Sequence, residues 1–185
     1  MYWPEFLRSL DEEKLTGAQK GTLVHLCLQK LNPKVDYNLS KIKDLIQDLE
    51  NKKIITKKEM QNINPYKILE FTKSEIWNEL KSAKKVCKEQ PFYISLPAKE
   101  VYKENLKEDV LVQGIIDLYY INKDNQLILV DYKTDYIEEG KYNELILKYK
   151  KQLELYQKAL ELALEKKVDR KYIYSVYLGK TIEIY

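Results

Sequence analysis

Two aspartates in apolar surroundings are the residues whose chemistry most needs explaining. Asp117 lies in the strand-like segment 110–121, and Asp131 directly follows four apolar residues. A charged carboxylate in such surroundings is costly unless something compensates for it. The turn residues 123–125 between them predict an antiparallel hairpin that brings the two carboxylates side by side. Adjacent carboxylates repel each other unless a cation lies between them, and Mg²⁺ is the natural candidate because it prefers oxygen ligands.

A lysine accompanies this pair. Lys133 stands two residues after Asp131, so on a strand both side chains leave the same face. A lysine beside a metal site can orient or deprotonate an attacking water and offset charge in a phosphoryl-transfer transition state. Tyr132 points the other way, but its main-chain carbonyl can still be a metal ligand. Each residue alone is also typical of a surface ion pair or a strand-end charge, whereas the combination across a hairpin favours a hydrolytic metal site.

The hydrophobic pattern predicts the elements that must position these residues. The first third is predicted to be helical, with segments at 14–31, after Ser40, after a Thr56/Glu59 capping box, and from Asn64-Pro65 to Lys84 with a break near Thr72. Strands are predicted at 86–96, 110–121 and 127–134, then a long helix at 142–166, a strand at 171–178 and a short one after Gly179. We therefore expect an α/β domain with a mixed sheet flanked by helices, since the long helix can connect parallel strands.

Length and composition bound the class of protein. The 185 residues, 44% of them hydrophobic, suit one compact domain, divided into a helical portion at 1–84 and an αβ core at 85–185. No apolar run reaches the roughly 18 residues of a membrane span, and the N-terminus does not read as a secretory signal, so a cytoplasmic location is expected. The start at Met1-Tyr2-Trp3-Pro4 favours a domain excised from a larger protein.

Charge and cysteine content narrow the possible partners. The net charge is only +3, but the basic residues are 30 lysines and two arginines, Arg8 and Arg170. Lysine suits phosphate contact more than base reading, so any DNA binding should be mainly to the backbone and weakened by salt; a well-solvated surface explains the lysines equally well. Cys27 and Cys87 lie too far apart for a zinc or redox motif, and no iron–sulfur cluster is expected. Both are expected to be buried reduced thiols.

Four short motifs carry a resemblance to a known family. The segments are Gly114-Ile115-Ile116-Asp117, Asp131-Tyr132-Lys133-Thr134, Gln152 to Tyr156, and Gly21-Thr22-Leu23-Val24-His25. They resemble the GxxD, DYKT, QxxxY and GTxxH motifs of the RecB-type branch of the PD-(D/E)XK nucleases, and within it the nuclease domains of AddA-type helicase–nuclease subunits. The match covers nearly the whole chain, and the four motifs occur in the right order. The proline that names the superfamily is missing before the first acid, as is usual in this branch.

The resemblance implies a role for each residue. His25, Asp117, Asp131 and the carbonyl of Tyr132 would be the metal ligands, and Lys133 would be the catalytic lysine. Gln152 and Tyr156, four apart on one helix face, would line the DNA path together with Thr134. Glu89 could belong to a further motif near the site, but we interpret it as a strand-end charge.

The same resemblance implies an activity. It is that of a Mg²⁺-dependent or Mn²⁺-dependent deoxyribonuclease, an exonuclease acting on single strands from an unwound duplex end during double-strand break repair. The implied partners are a helicase domain in the parent chain and an AddB-like second subunit, although no GxxxxGK[ST] loop is present here. Two alternatives stay open: a stand-alone exonuclease of phage or CRISPR-adaptation type, and a catalytically silent module that binds DNA or a partner.

Overall fold

The computed structural model describes residues 15–101 and 108–185. The expectations about Met1 to Pro4, Arg8 and Lys14 lie outside these residues. Within them, the helical first part consists of α1 (Gly17–Lys30), α2 (Leu39–Asn51), α3 (Lys57–Gln61), α4 (Pro65–Phe71) and α5 (Glu75–Lys81). It is followed by β1 (Lys85–Pro97), α6 (Ala98–Val101), β2 (Asp109–Ile121), β3 (Leu127–Lys133), α7 (Tyr142–Leu164), β4 (Arg170–Ser175) and β5 (Lys180–Ile184).

Side-chain caps decide where the short helices begin. Thr16 and Gln19 form a capping box at α1, and Thr56 and Glu59 form the predicted one at α3. The prediction that Ser40 caps α2 is wrong, because the Asn38 side chain accepts a hydrogen bond from the Lys41 amide at 2.9 Å and starts the helix earlier. The predicted break near Thr72 is confirmed, and α5 begins anew after it.

The described strands form one mixed sheet in the order β1-β2-β3-β4-β5. Three neighbouring pairs are antiparallel, while β3 and β4 are parallel and are connected through α7, as predicted. Strand β4 ends at Ser175 rather than at Leu178, because the chain turns there and the Gly179 amide donates to the Ser175 carbonyl at 2.8 Å. Gly179 has φ +66°, which glycine adopts without a steric penalty.

Two apolar layers cover the sheet. The first cluster joins α1 to α5 to one face of the strands, and the second joins α7 to the other face. Cys27 is fully buried in the first cluster, as expected; Cys87 is only half-buried, so the expectation for it is wrong. No helix of the described residues is both long and apolar enough to cross a membrane.

Candidate metal centre and active site

Asp117 lies where β2 and β3 separate. Leu118 pairs with Val130 in the antiparallel ladder, and the next positions outward are Asp117 and Asp131, which therefore face each other as the hairpin predicts. The ladder itself ends there. Instead of a main-chain bond, the buried Asp117 carboxylate accepts the Tyr132 N–H through Oδ2 at 2.7 Å. The Asp117 Oδ2 atom thus replaces the main-chain carbonyl that would normally accept this N–H in the sheet. The other carboxylate oxygen, Oδ1, remains available to other groups.

The Tyr132 carbonyl points to the same side of β3 as Asp117. On a strand, the N–H and C=O of one residue point in one direction and those of the next residue in the opposite direction. The Tyr132 N–H is directed at Asp117, and the Lys133 carbonyl accepts from the Val176 N–H of the segment after β4, at 2.8 Å. The Tyr132 carbonyl is therefore directed into the gap beside Asp117, while its ring is buried in the helical layer.

Helix α1 brings His25 to this gap. Its Nδ1 lies 3.2 Å from Asp117 Oδ1, and its ring meets the Tyr132 ring edge-on at 5.7 Å. Gly21, one turn earlier, permits this approach because a Cβ there would lie 3.0 Å from Thr134 Oγ1. The motif from Gly21 to His25 therefore contains a glycine that permits close packing and a histidine that reaches the site.

Glu89 is the residue that the sequence interpretation placed wrongly. It is not a strand-end charge but an interior residue of β1, between Lys88, which pairs with Leu118, and Gln90, which pairs with Ile116. Its φ of +50° is rare for a residue with a side chain. Ligand atoms of His25, Glu89 and Asp117 all lie within 4.8 Å of one another. The alternation of apolar and polar residues in β1 gave no indication that Glu89 would join His25 and Asp117. Only the Glu-Gln-Pro-Phe pattern could have indicated it.

Asp131 and Lys133 form the other half of the site. Lys133 Nζ lies 2.7 Å from Asp131 Oδ2 and donates to Gln152 Oε1 at 3.0 Å. Gln152 in turn donates through Nε2 to the Tyr156 hydroxyl at 2.7 Å. The ammonium also lies 4.1 Å from the centre of the Tyr149 ring, a cation–π contact. Two residues of α7, Tyr149 and Gln152, thus contact the lysine, and the QxxxY spacing connects Tyr156 to it through Gln152.

The electrostatics of the site favour a bound cation. Burial raises the pKa of Asp131 to about 6, although Lys133 opposes this, and burial together with Asp117 raises the pKa of Glu89. Burial acts to lower the pKa of His25, but the hydrogen bond to Asp117 and the nearby carboxylates outweigh it and the pKa is raised. The carboxylates are therefore crowded in a poorly solvated space, and a positive charge among them would lower their free energy.

The residues present fit a divalent metal ion. His25, Glu89 and Asp117 offer nitrogen and oxygen ligands, and Glu89 Oε1 is buried without a hydrogen-bond partner in the described structure. A buried acceptor left in this way is costly unless a ligand completes it. Asp131 is not in this cluster of three; its Oδ2, in close contact with the Lys133 ammonium, lacks a well-directed hydrogen bond.

Lys88 ties the helix of His25 to the strand of Glu89. Its ammonium donates to the carbonyls of Leu28 at 3.3 Å, Gln29 at 3.2 Å and Leu31 at the C-terminal end of α1. A cation at this end of a helix satisfies free carbonyls and the helix dipole. Burial lowers the pKa of Lys88 to about 8, so the ammonium is still mostly protonated at neutral pH.

An open cleft of about 420 Å³ gives access to these groups. Its walls come from α1, the part of β1 around Glu89, the end of β3 and α7, and the lining residues are Ala18, Gly21, Thr22, His25, Glu89, Tyr132, Lys133, Thr134, Asp135 and Tyr149. A second depression, of about 480 Å³, lies along α7 and contains none of the groups described above. The first cleft therefore defines the candidate active site.

The fold and the site define a nuclease class, and comparison with known proteins agrees. Residues 3–182 match the model of the PD-(D/E)XK nuclease superfamily, and the chain belongs to that superfamily. The RecB-type resemblance of the sequence motifs is thereby confirmed at the level of the superfamily. Nucleases of this superfamily use divalent metal ions.

Among its relatives are proteins named as ATP-dependent helicase/nuclease subunits, of the AddA type. The one from Thermoanaerobacter sp. (strain X514) is 42% identical over 94% of this chain and 14% of its own length. That of Clostridium novyi (strain NT) is 36% identical over 100% of this chain and 16% of its length, and that of Clostridioides difficile (strain 630) is 38% identical over 92% and 14%. The chain thus spans 14% to 16% of the length of these curated relatives.

Proposed function

We propose that the chain is a metal-dependent deoxyribonuclease that hydrolyses phosphodiester bonds in the cleft between α1 and the end of β3. The observation that carries the proposal is the clustering of His25, Glu89 and Asp117 within 4.8 Å beside the Asp131–Lys133 pair. A ligand cluster next to a held lysine supplies what phosphoryl transfer requires, namely positioning and charge stabilisation.

The chain's own residues have distinct tasks in this proposal. His25, Glu89, Asp117 and the Tyr132 carbonyl would hold Mg²⁺, or Mn²⁺ in its place, with Asp131 completing the set. A bound divalent cation would act as a Lewis acid toward the attacked phosphodiester. Lys133, held by Asp131 and Gln152, orients the attacking water and offsets the negative charge that develops on the phosphate oxygens. In this proposal the side-chain ligands are thus His25, Glu89, Asp117 and Asp131, and Lys133 is the catalytic side chain.

DNA would reach these groups along the cleft. Thr134 lines the cleft. Gln152 and Tyr156 lie on α7, connected to Lys133 by hydrogen bonds, and would contact the DNA strand from the α7 side. The many lysines predict contact with the phosphate backbone, and affinity should fall steeply as salt is raised.

The cellular setting rests on what the relatives are called. They are named helicase/nuclease subunits, so we infer that this domain works with a helicase, and with an AddB-like second subunit, on strands unwound from duplex ends. Exonucleolytic degradation during double-strand break repair, in the cytoplasm, is the corresponding role. The single nuclease domain is taken to occupy residues 1–185.

The proposal is tested by cleavage of end-labelled linear single-stranded DNA with Mg²⁺ or Mn²⁺. We expect product with either metal, none with EDTA, and a loss of at least about a hundredfold in Lys133→Ala. Lys150→Ala, a change at an exposed lysine of α7, is the matched control and should cleave normally. Calorimetry should show metal uptake by the wild type and by Lys133→Ala, and weak uptake by Asp117→Asn. A wild-type protein that neither cleaves nor takes up metal would contradict the proposal.

A further inference from the structure

Two exposed tyrosines lie at the sheet edge that carries the site. The rings of Tyr136 and Tyr177 are 4.8 Å apart at an angle of 67°, an edge-to-face contact. Tyr136 is 70% exposed and Tyr177 is 44% exposed. The pair therefore exposes aromatic surface to solvent next to segments that contribute residues to the active site.

The parallel pairing of β3 and β4 places the tyrosines near Lys133. The carboxyl ends of the two strands meet at one edge, where the Val176 N–H donates to the Lys133 carbonyl at 2.8 Å. Tyr177 follows Val176 directly, and Tyr136 comes three residues after Lys133. Three residues span at most about 10 Å, which corresponds to about three nucleotides at a rise of 3.4 Å per nucleotide.

Neighbouring contacts hold the pair in place. Asp135, next to Tyr136, accepts hydrogen bonds from Lys148 and from the Tyr149 hydroxyl, the latter at 2.8 Å. The Tyr177 carbonyl accepts from Lys67 of α4 at 2.8 Å. One tyrosine thus follows a held side chain and the other has a held main-chain carbonyl, and restricting the chain in this way reduces the entropy lost on binding.

The charges around the pair are balanced. Glu138 is paired with Lys141, Glu139 with Lys180, and Asp135 with Lys148. A surface of this kind does not concentrate the positive charge that a phosphate group requires, whereas an aromatic pair without net charge suits the flat face of a nucleobase.

We propose that Tyr136 and Tyr177 form a stacking site for an unpaired nucleobase of the strand that is being cut. This inference rests on the proposed function and adds a substrate contact to it. Only an unpaired base can present a whole face to an aromatic side chain, so the site favours single-stranded over duplex DNA.

The test is the affinity of the protein for a fluorescent oligothymidylate, measured by anisotropy in EDTA so that the strand is not cut. Replacing both residues, Tyr136→Ala with Tyr177→Ala, should weaken binding by roughly fivefold to a hundredfold, whereas Tyr→Phe at both should preserve it. The control is Tyr185→Ala, a 93% exposed tyrosine after β5, near the start of β4 and so at the opposite end of the sheet. It should bind as the wild type does.

An abasic oligonucleotide of the same length separates base stacking from contact with phosphates. The wild type should bind it more weakly than oligothymidylate, and the double alanine variant should lose that preference. Equal affinity of the wild type and the double variant for oligothymidylate would overturn the stacking site, as would an equal loss on the abasic strand or a wild type that binds no single strand. Cleavage by the same samples with Mg²⁺ is scored separately: if it persists while affinity is unchanged, only the stacking site fails, and if it is absent from the wild type, the proposed function fails.

Discussion

Glu89 lies directly opposite Asp117 on the neighbouring strand, and at this pair both strands exchange their faces. Lys88 pairs with Leu118 and Gln90 with Ile116, so Glu89 and Asp117 occupy the position between. Leu118 packs in the helical layer, but Ile116, two residues away, packs on the α7 side, where alternation would place both on one face.

The same exchange occurs in β1. Val86 packs against the helical layer, whereas Phe92 packs on the α7 side although it is an even number of residues away. The φ of +50° at Glu89 produces the change in β1 and allows both Lys88 and Glu89 to reach α1. A rare backbone conformation of this kind, costing about 1–3 kcal/mol, persists where the surroundings impose it and is common at functional sites.

Substitution of Glu89 should separate stability from metal binding. Glu89→Gln keeps the side-chain shape without the charge, and Glu89→Gly also relieves the backbone. In EDTA, Glu89→Gly should resist chemical denaturation better than Glu89→Gln by about 1 kcal/mol, because glycine tolerates positive φ. Both should bind Mn²⁺ at least about tenfold more weakly than the wild type in calorimetry. Unchanged affinity in both variants would show that Glu89 is not a ligand; Glu154→Gln, exposed on α7, is the control.

Lys88→Met should lower metal affinity indirectly, through the helix that carries His25. Methionine fills similar space but leaves the carbonyls at the end of α1 without their donor, so the free energy of unfolding should fall by about 1–3 kcal/mol. Because His25 lies one turn before these carbonyls, metal affinity should fall as well, even at temperatures where the variant is fully folded. Lys88→Arg, which keeps the donors, should recover part of both losses. The comparison is Lys85→Met, at an exposed lysine of the same strand, which should change neither quantity.

Gly114→Ala should reduce cleavage with little loss of stability. A Cβ at this position would lie 2.8 Å from the Phe92 ring and 3.3 Å from the Tyr156 ring, and the two rings are in edge-to-face contact at 5.4 Å. The rings must shift, which disturbs the Gln152 contact that holds Lys133, while the reduced freedom of the unfolded chain offsets the strain. We expect turnover to fall severalfold and the melting temperature to change little. Gly17→Ala is the control, because a Cβ there would have nothing within 4 Å. Equal turnover in both variants would show that the position of the Tyr156 ring does not matter for cleavage.

Asp135 should make stability depend on pH in the acidic range. Burial acts to raise its pKa, but hydrogen bonds from Lys148 and Tyr149 outweigh this and lower it from 3.8. The ionised Asp135 carboxylate therefore stabilises the folded protein fully above its unfolded-state pKa. This contribution is lost as the pH falls through its lower folded-state pKa. At pH 7, Asp135→Asn should reduce the free energy of unfolding by about 0.5 kcal/mol, because Lys148 is exposed and Asp135 only partly buried, so that solvent screens the pair. Denaturation curves from pH 7 to pH 2 should show this difference shrinking below about pH 4, and a difference that is constant with pH would contradict the assignment. Asp44→Asn, on an exposed part of α2, is the control.

Much of the site could be predicted from local sequence. Asp117, Asp131 and Lys133 are joined by one hairpin, and the turn residues between the strands bring them together. Gln152 and Tyr156 share a helix face because they are four residues apart, and their contact follows from helix geometry. The mixed sheet with its parallel pair likewise followed from a long helix between two strands, whereas the order of the strands was not predicted.

The sequence by itself determined which elements form and which residues share a hairpin or a helix face, because those relations depend on short-range periodicity. Only the tertiary structure decided that Glu89 joins His25 and Asp117, since the alternation that sequence analysis relies on is inverted at this pair. Only packing decided that Lys88 would cap the helix of His25, about sixty residues earlier in the chain. Contacts at such separations depend on how the helical layer lies against the sheet, and the pattern of neighbouring residues contains no record of that.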